Sequence, residues 1–332
     1  MSPSPETALA RAEELAERVL PDRTPKRRML VIVNPYATTV SDRLKNLVVY
    51  ALQGRYSVEA VDTERAHHAT QICREAASEG YDVVVAFGGD GTVNEAANGL
   101  VGSDTPLTCL PGGSTNVWCR TLGIPNDVVD ATEHLLRMAD EFQPRRLDTG
   151  IVNGRHFVFA SGIGLDASVV ERVDSHPRLK ARFGPWYYTW AALSSFNRTY
   201  LVNPPRVRVE TEGGETLEGV TVVVQNSDPY TYFGNRPIHV AGDAALDSGS
   251  LALAVLKRAT LLEMPTLIPR LLSKKHDSVL RHRQIHGFAP QQRFRVVSVD
   301  ERPFPIEVDG DYVGEFDEAL YEAAPGALAV VS

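Results

Sequence analysis

Seven residues, Gly89-Asp90-Gly91-Thr92-Val93-Asn94-Glu95, follow an apolar run from Asp82 to Phe87 and Gly88. They set a carboxylate and a hydroxyl on a glycine turn that opens a helix. Backbone N–H groups bared at such a turn, reinforced by the positive end of the helix dipole, form a seat for phosphate. A second glycine turn, Pro111-Gly112-Gly113-Ser114-Thr115-Asn116, follows the next apolar run, PLTCL. In an open α/β sheet ligands bind beyond the carboxyl ends of the strands, so two such turns after neighbouring strands face one ligand. Asn34-Pro35, directly after MLVIV, is a third loop of this kind, with simple strand termination by proline as the alternative. Thr63, after YSVEAVD, is a fourth position, where a helix cap is the commoner use of threonine. Neither GxxxxGK[ST] nor the HRD and DFG pair occurs, so the Walker-type and protein-kinase architectures are unsupported.

The elements that must hold these loops can be read from periodicity. From Met29 to about Phe142, the short apolar runs MLVIV, YSVEAV, DVVVAF and PLTCL alternate with helical stretches near 40–53, 66–79 and 91–100. Continuous apolar strands with helices between them predict a parallel sheet covered on both faces, a doubly wound α/β nucleotide-binding domain over 29–142. In the helix after the first glycine turn, Val93, Ala96, Ala97 and Leu100 form the apolar stripe, which leaves Asn94 and Glu95 off it. Beyond Pro144 the pattern alternates with period two in RVRVE, TVVVQ, LALAVL and RFRVVSV, with turn signals at Gly213-Gly214, Asp247-Ser248-Gly249 and Asp309-Gly310. That predicts a β-rich domain over 143–332, an antiparallel sandwich, interrupted by helical patches near 177–197 and 260–282. Residues 1–28 read as an N-terminal extension, where helical spacing over 8–20 predicts an accessory helix ended by Pro21.

Composition narrows the classes. The chain of 332 residues is 43% hydrophobic, enough for two cores, and carries a formal net charge of −8 without a long basic run. That argues against a protein that grips nucleic acid by overall charge. Cys73, Cys109 and Cys119 have no paired spacing, so neither a zinc site nor a disulfide framework is expected and a reducing cytoplasm fits. No stretch approaches the ~20 apolar residues of a membrane span, and no signal peptide is recognisable.

Taken together the motifs resemble the soluble lipid kinases that include bacterial diacylglycerol kinases and sphingosine kinases. The resemblance rests on VNP at 33–35, GGDGTVNE at 88–95, PGGSTN at 111–116, Asp148-Thr149-Gly150, GIGLDA at 162–167, ALDSGSL at 245–251 and VDGD at 308–311. GGDGT alone is shared with nicotinamide-dinucleotide kinases and phosphofructokinases; the later motifs favour the lipid branch. The resemblance implies ATP and Mg²⁺ as cofactors, with nucleotide and lipid meeting in a cleft between the two domains. By position it implies ATP contacts from Asn34, Thr63, Gly88, Gly89, Asp90, Gly91, Thr92, Val93, Asn94, Glu95, Gly113, Ser114, Thr115 and Asn116. Asp90 is expected near the phosphates and their magnesium, and Asp166 near the lipid headgroup.

Two departures from the family pattern bear on chemistry. Phosphoryl transfer to an alcohol needs a group that accepts the hydroxyl proton. The family supplies a Glu in a DGE motif, and here the corresponding residue is Asp311, one methylene shorter, in a segment that also reads as a hairpin turn. Some relatives carry a structural magnesium in an N/D-D-G-x-L loop; the matching positions here are Ala245, Asp247, Ser248 and Ser250, with Ser248 where a carboxylate ligand is expected. Other readings stay open: a regulatory nucleotide binder of the same fold, a dinucleotide kinase, and, from GxGxxA at 162–167, a dinucleotide-binding oxidoreductase. The lipid partner would be met at a membrane surface by a cytoplasmic, peripherally associating protein, and a homodimer is common among relatives. Two segments bear on how. The aromatic stretch 180–197, with Trp186 and Trp190, suits either an interface or packing on the β-domain, and Lys274, Lys275, Arg281 and Arg283 suit either solvation or anionic headgroups.

Overall fold

The computed structural model describes residues 26–164, 204–242, 244–260 and 263–332. The N-terminal extension, Asp166 and the aromatic stretch 180–197 lie outside the described residues. Four parallel strands come first: β1 (Arg28–Val33), β2 (Ser57–Asp62), β3 (Val83–Gly88) and β4 (Leu107–Pro111), in the spatial order β2-β1-β3-β4. Helices α1 (Asp42–Leu52), α2 (His68–Glu79), α3 (Asp90–Leu100), α4 (Val117–Thr121) and α5 (Val128–Met138) connect and follow them. β3 is buried along its whole length, as its unbroken VVVAFG run requires of a central parallel strand. β2 lies at the edge, with Val58 and Val61 half-buried and its other residues exposed. Two helices begin on side-chain caps that their sequences advertise: Ser41 accepts from the Leu44 N–H, and Asp127 from those of Val129 and Asp130.

The second half contributes β5 (Arg145–Val152), β6 (Arg155–Phe157), β7 (Ala160–Gly164), β8 (Val207–Thr211), β9 (Thr216–Gly219), β10 (Thr221–Gln225), β11 (Thr231–Phe233), β12 (Arg236–Ile238), β13 (Ala252–Leu256), α6 (Met264–Leu271), β14 (Ile285–Gly287), β15 (Arg293–Ser298), β16 (Phe304–Val308), β17 (Asp311–Phe316) and β18 (Glu318–Val330). An antiparallel sheet runs β14-β13-β10-β7-β16-β17. Its face packs on β8, β15 and β18 through Ile163, Val224, Val255 and Ile306 against Val209, Val296 and Tyr321, the filling of a sandwich. The protein is thus an α/β parallel-sheet unit joined to an antiparallel β unit. β18 sews the two together: it pairs antiparallel with β15 and β5, then meets β4 in parallel at Val330↔Leu107. Leu328, Val330 and Val331 thereby join the core of the first unit.

Two expectations are altered. β7, which carries Gly162 and Gly164, sits between antiparallel β10 and β16, so GxGxxA does not open a parallel β-α unit and the oxidoreductase reading loses its structural basis. The helix foreseen over 260–282 is, among the described residues, only the eight-residue α6. The polar run Ser273-Lys274-Lys275-His276-Asp277 offers no apolar stripe to continue it.

Candidate active site

The carboxyl ends of β1, β2, β3 and β4 deliver Asn34, Thr63, Gly88-Gly89 and Gly112-Gly113 to one rim of the sheet. Backbone bonds fix them there: the Asn34 N–H donates to the Phe87 carbonyl at 3.0 Å, that of Thr63 to Val33 at 2.8 Å, that of Gly112 to Gly88 at 2.8 Å, and that of Thr39 to Gly112 at 3.1 Å. The two glycine turns stack backbone on backbone. A Cβ on Gly112 would stand 2.8 Å from the Gly88 Cα, and one on Gly113 2.8 Å from the Gly89 Cα. Only glycine permits that approach. α3 starts at this point from Gly89, which supplies no side-chain cap. The first-turn N–H groups of such a helix lack intrahelical partners, and with the dipole they make an anion seat.

Several predicted residues build the seat. Asp90 reaches across to α4: its two oxygens accept the N–H groups of Val117 and Trp118, each at 3.0 Å, and so tie the second glycine turn to the first. Loss of water around this carboxyl pushes its pKa up from 3.8 to about 6; the two amide bonds pull it down, and the nearby Asp311 charge raises it further. Asn116, at φ 50°, accepts from the Gly113 N–H and donates to the Gly113 carbonyl, clamping that turn shut. Ser114 remains exposed above it. Asn34 donates to the Thr92 hydroxyl at 3.2 Å. Glu95 accepts from the N–H groups of His67 and Ala69 at the start of α2, the negative partner a helix N-terminus favours. Val93 is buried in the core.

The β unit meets this rim through a hairpin. Asp309 (φ 49°) and Gly310 (φ 83°) form the two-residue turn between β16 and β17, both with positive φ, as Asp-Gly predicts. Asp309 also does something the sequence does not disclose. Its buried carboxylate accepts from the N–H groups of Val158, Phe159 and Ala160 at 2.7, 2.9 and 3.1 Å and from the Asn94 amide at 2.7 Å. Burial pushes its pKa to about 6 against the pull of those four bonds. Asn94, on α3, is thus locked to the hairpin. Two residues on, Asp311 presses its carboxylate against Gly91, where a Cβ would lie 2.7 and 2.8 Å from its two oxygens. Arg155 stands beside both: it donates to Asn94 Oδ1 at 3.0 Å and lies 3.9 Å from Asp311 Oδ2.

The sequence marks Asp309 only as a turn residue within the 308–311 motif and does not mark Arg155 at all, because their partners are remote in the chain. Two neighbouring carboxylates at a glycine-built anion seat form hard, oxygen-rich surroundings of the kind that suit Mg²⁺ accompanying a polyphosphate. In the 245–250 loop, the Ser248 hydroxyl lies 2.9 Å from the Ala245 carbonyl and 3.0 Å from that of Ser250, while Asp247 is exposed. Asp148 anchors the same loop by accepting from Gly249 and Gly326. The Ser248 hydroxyl has one proton to donate between these two carbonyls and brings no charge to the loop.

Residues 28–147 match the family model described as the diacylglycerol kinase catalytic domain, and residues 160–332 match that of the YegS C-terminal NAD kinase beta sandwich-like domain. A protein named diacylglycerol kinase from Bacillus subtilis (strain 168) is 28% identical over 299 residues, covering 87% of this chain and 91% of that one. One of the same name from Staphylococcus aureus (strain bovine RF122 / ET3-1) is 27% identical over 305 residues, covering 87% and 88%. The crystal structure of a candidate diacylglycerol kinase from Bacillus anthracis str. Sterne superposes with a TM-score of 0.72 at 26% identity, covering 93% of this chain and 98% of that one. Among the described residues, no helix is long and apolar enough to cross a membrane.

Proposed function

The chain belongs to the kinase family defined by the diacylglycerol kinase catalytic domain and its YegS-type β-sandwich, and from that premise we propose that it transfers the γ-phosphoryl group of ATP to a hydroxyl of a diacylglycerol-like or sphingoid lipid. One observation carries the reading. The Asp311 carboxylate, supplied by the β unit, abuts Gly91 in the first turn of the helix that forms the anion seat. A proton acceptor is thereby set against the place where a terminal phosphate would rest, which is what transfer to an alcohol requires.

In this scheme the triphosphate lies over Gly88–Gly91 and the turn at Gly112–Ser114, with Asn34, Thr63 and Thr92 lining the approach. Asp311 takes the proton of the lipid hydroxyl as the hydroxyl oxygen attacks the γ-phosphorus, the bond from that phosphorus to the β–γ bridging oxygen breaks, and ADP leaves. Mg²⁺, when bound with the nucleotide, supplies charge neutralisation for the phosphates beside Asp90 and Asp311. Arg155 orients Asp311, and Asp90 keeps the two glycine turns in register. Because the substrate is held in a bilayer, turnover takes place at a membrane surface on a peripherally bound protein. Asp311 is one methylene shorter than the glutamate of the family motif and makes up its reach by its place against Gly91.

The test is transfer of labelled γ-phosphate from ATP to diacylglycerol or sphingosine in mixed micelles, with nicotinamide dinucleotide as a competing acceptor. A labelled lipid, and an Asp311→Asn variant whose kcat falls at least 100-fold with little change in the KM for ATP, are the expected results. ATP binding without a labelled lipid would point to a regulatory protein, and a labelled dinucleotide to the other branch of the superfamily.

A further inference from the structure

In the β unit, three side chains that the scheme above does not use converge. Asp228, in the segment between β10 and β11, accepts from His239 Nδ1 at 2.7 Å and faces His276 Nδ1 at 3.2 Å, both through the same oxygen, Oδ2. The two imidazole rings lie with centroids 3.8 Å apart. One candidate ligand atom from each of the three residues falls within 4.8 Å of the others. The second Asp228 oxygen, Oδ1, is buried and accepts no hydrogen bond from the described residues. His239 is buried at 8% side-chain exposure, whereas His276 is 63% exposed and lies on an open recess of about 450 Å³ that Arg236 and Lys274 also line.

A buried carboxylate held only by hydrogen bonds spreads them over both oxygens, as Asp309 does. Two histidines from separate segments on one oxygen, with the other oxygen left buried and unbonded, form a set that a metal ion would complete. We propose that Asp228, His239 and His276 bind a divalent cation of the zinc class, with the remaining coordination position open to the recess. The chemistry selects among ions. Two imidazole nitrogens and one carboxylate suit Zn²⁺, a four-coordinate ion with His and Asp ligands in protein sites. Mg²⁺ needs more, and harder, oxygens than a single carboxylate offers, and Arg236 and Lys274 at the rim disfavour an ion held mainly by charge. The site therefore differs in its ligands and in its ion from any Mg²⁺ that accompanies ATP. Its effect on the fold is to join the β11–β12 hairpin, through His239 just past β12, to the segment after α6, through His276.

The full-length chain, stripped with a chelator and dialysed, is titrated with Zn²⁺ against a chromophoric competitor, and its Tm is measured with Zn²⁺ and with Mg²⁺. One equivalent of tightly bound Zn²⁺ and a zinc-dependent rise in Tm are expected. His276→Ala, at an exposed position where the fold has little to lose, should weaken binding at least tenfold and abolish the rise; Asp228→Asn should do the same. Retention of the fold by both variants is read from circular dichroism. Absence of saturable Zn²⁺ binding overturns the proposal, as does binding unchanged in His276→Ala or a Tm rise that Mg²⁺ reproduces. If Asp228→Asn does not fold, His276→Gln takes its place with the same expected loss.

Discussion

Gly91→Ala separates the position of the proposed base from the stability of the fold. The added Cβ would stand 2.7 Å from Asp311 Oδ2, 2.8 Å from Oδ1 and 3.1 Å from its Cγ. Ordinary contact begins near 3.4 Å, so the carboxylate must retreat by about 0.7 Å. The helix itself gains, because alanine is favoured over glycine in a helix by up to about 1 kcal/mol. Misplacement of a reacting group by about 1 Å costs on the order of 100-fold in rate, so kcat should fall about 10- to 100-fold. The Tm should equal or exceed the parent's. Gly99→Ala is the control: its Cβ would meet the Cys73 Cβ at 2.4 Å and the Thr70 carbonyl at 2.6 Å, which strains the α2–α3 contact far from Asp311. That variant should lose about 1–3 kcal/mol of stability and keep its turnover per folded molecule. Steady-state lipid phosphorylation and differential scanning calorimetry on both variants give the answer. A Gly91→Ala enzyme with kcat within twofold of the parent would refute the reasoning, because the carboxylate's place against the helix would then be irrelevant to the chemistry.

Gly112→Ala sets a Cβ 2.8 Å from the Gly88 Cα and 2.9 Å from a Val40 methyl, parting the two glycine turns, so the KM for ATP should rise at least tenfold, as measured by nucleotide titration. Asp90 and Asp309, each raised to about 6 from 3.8, hold protons in the folded chain that the unfolded chain has already released. The stability their protonated forms contribute is full below about pH 4 and is lost as pH rises through 6, by about 3 kcal/mol for each. Urea midpoints between pH 4.5 and 7 should therefore fall more steeply in the parent than in Asp90→Asn, and parallel slopes would contradict the assignment. Ser248→Asp puts a carboxylate between the Ala245 and Ser250 carbonyls, and Mg²⁺ should raise the Tm of that variant but not of the parent.

The chemistry of the rim was legible in the sequence because it is local. A glycine turn followed by a helix must expose N–H groups whatever surrounds it, and unbroken apolar runs such as DVVVAF, alternating with helical stretches, fit strands covered on both faces. The same holds for the turn at Asp309-Gly310, whose positive φ angles follow from residue type. Tertiary structure decided what meets those turns. Asp309 and Asn94 are 215 positions apart, and nothing in either segment announces that a buried carboxylate gathers three backbone amides and that side chain. Arg155 beside Asp311, and Asp228 between His239 and His276, likewise exist only because antiparallel strands fold remote segments together. The sequence by itself determined the shape of each loop, since φ, ψ and hydrogen-bonding capacity are properties of neighbouring residues. Which carboxylate faces the anion seat depended on the path of β18 and the β16–β17 hairpin, because a contact across space is fixed by the packing of whole sheets.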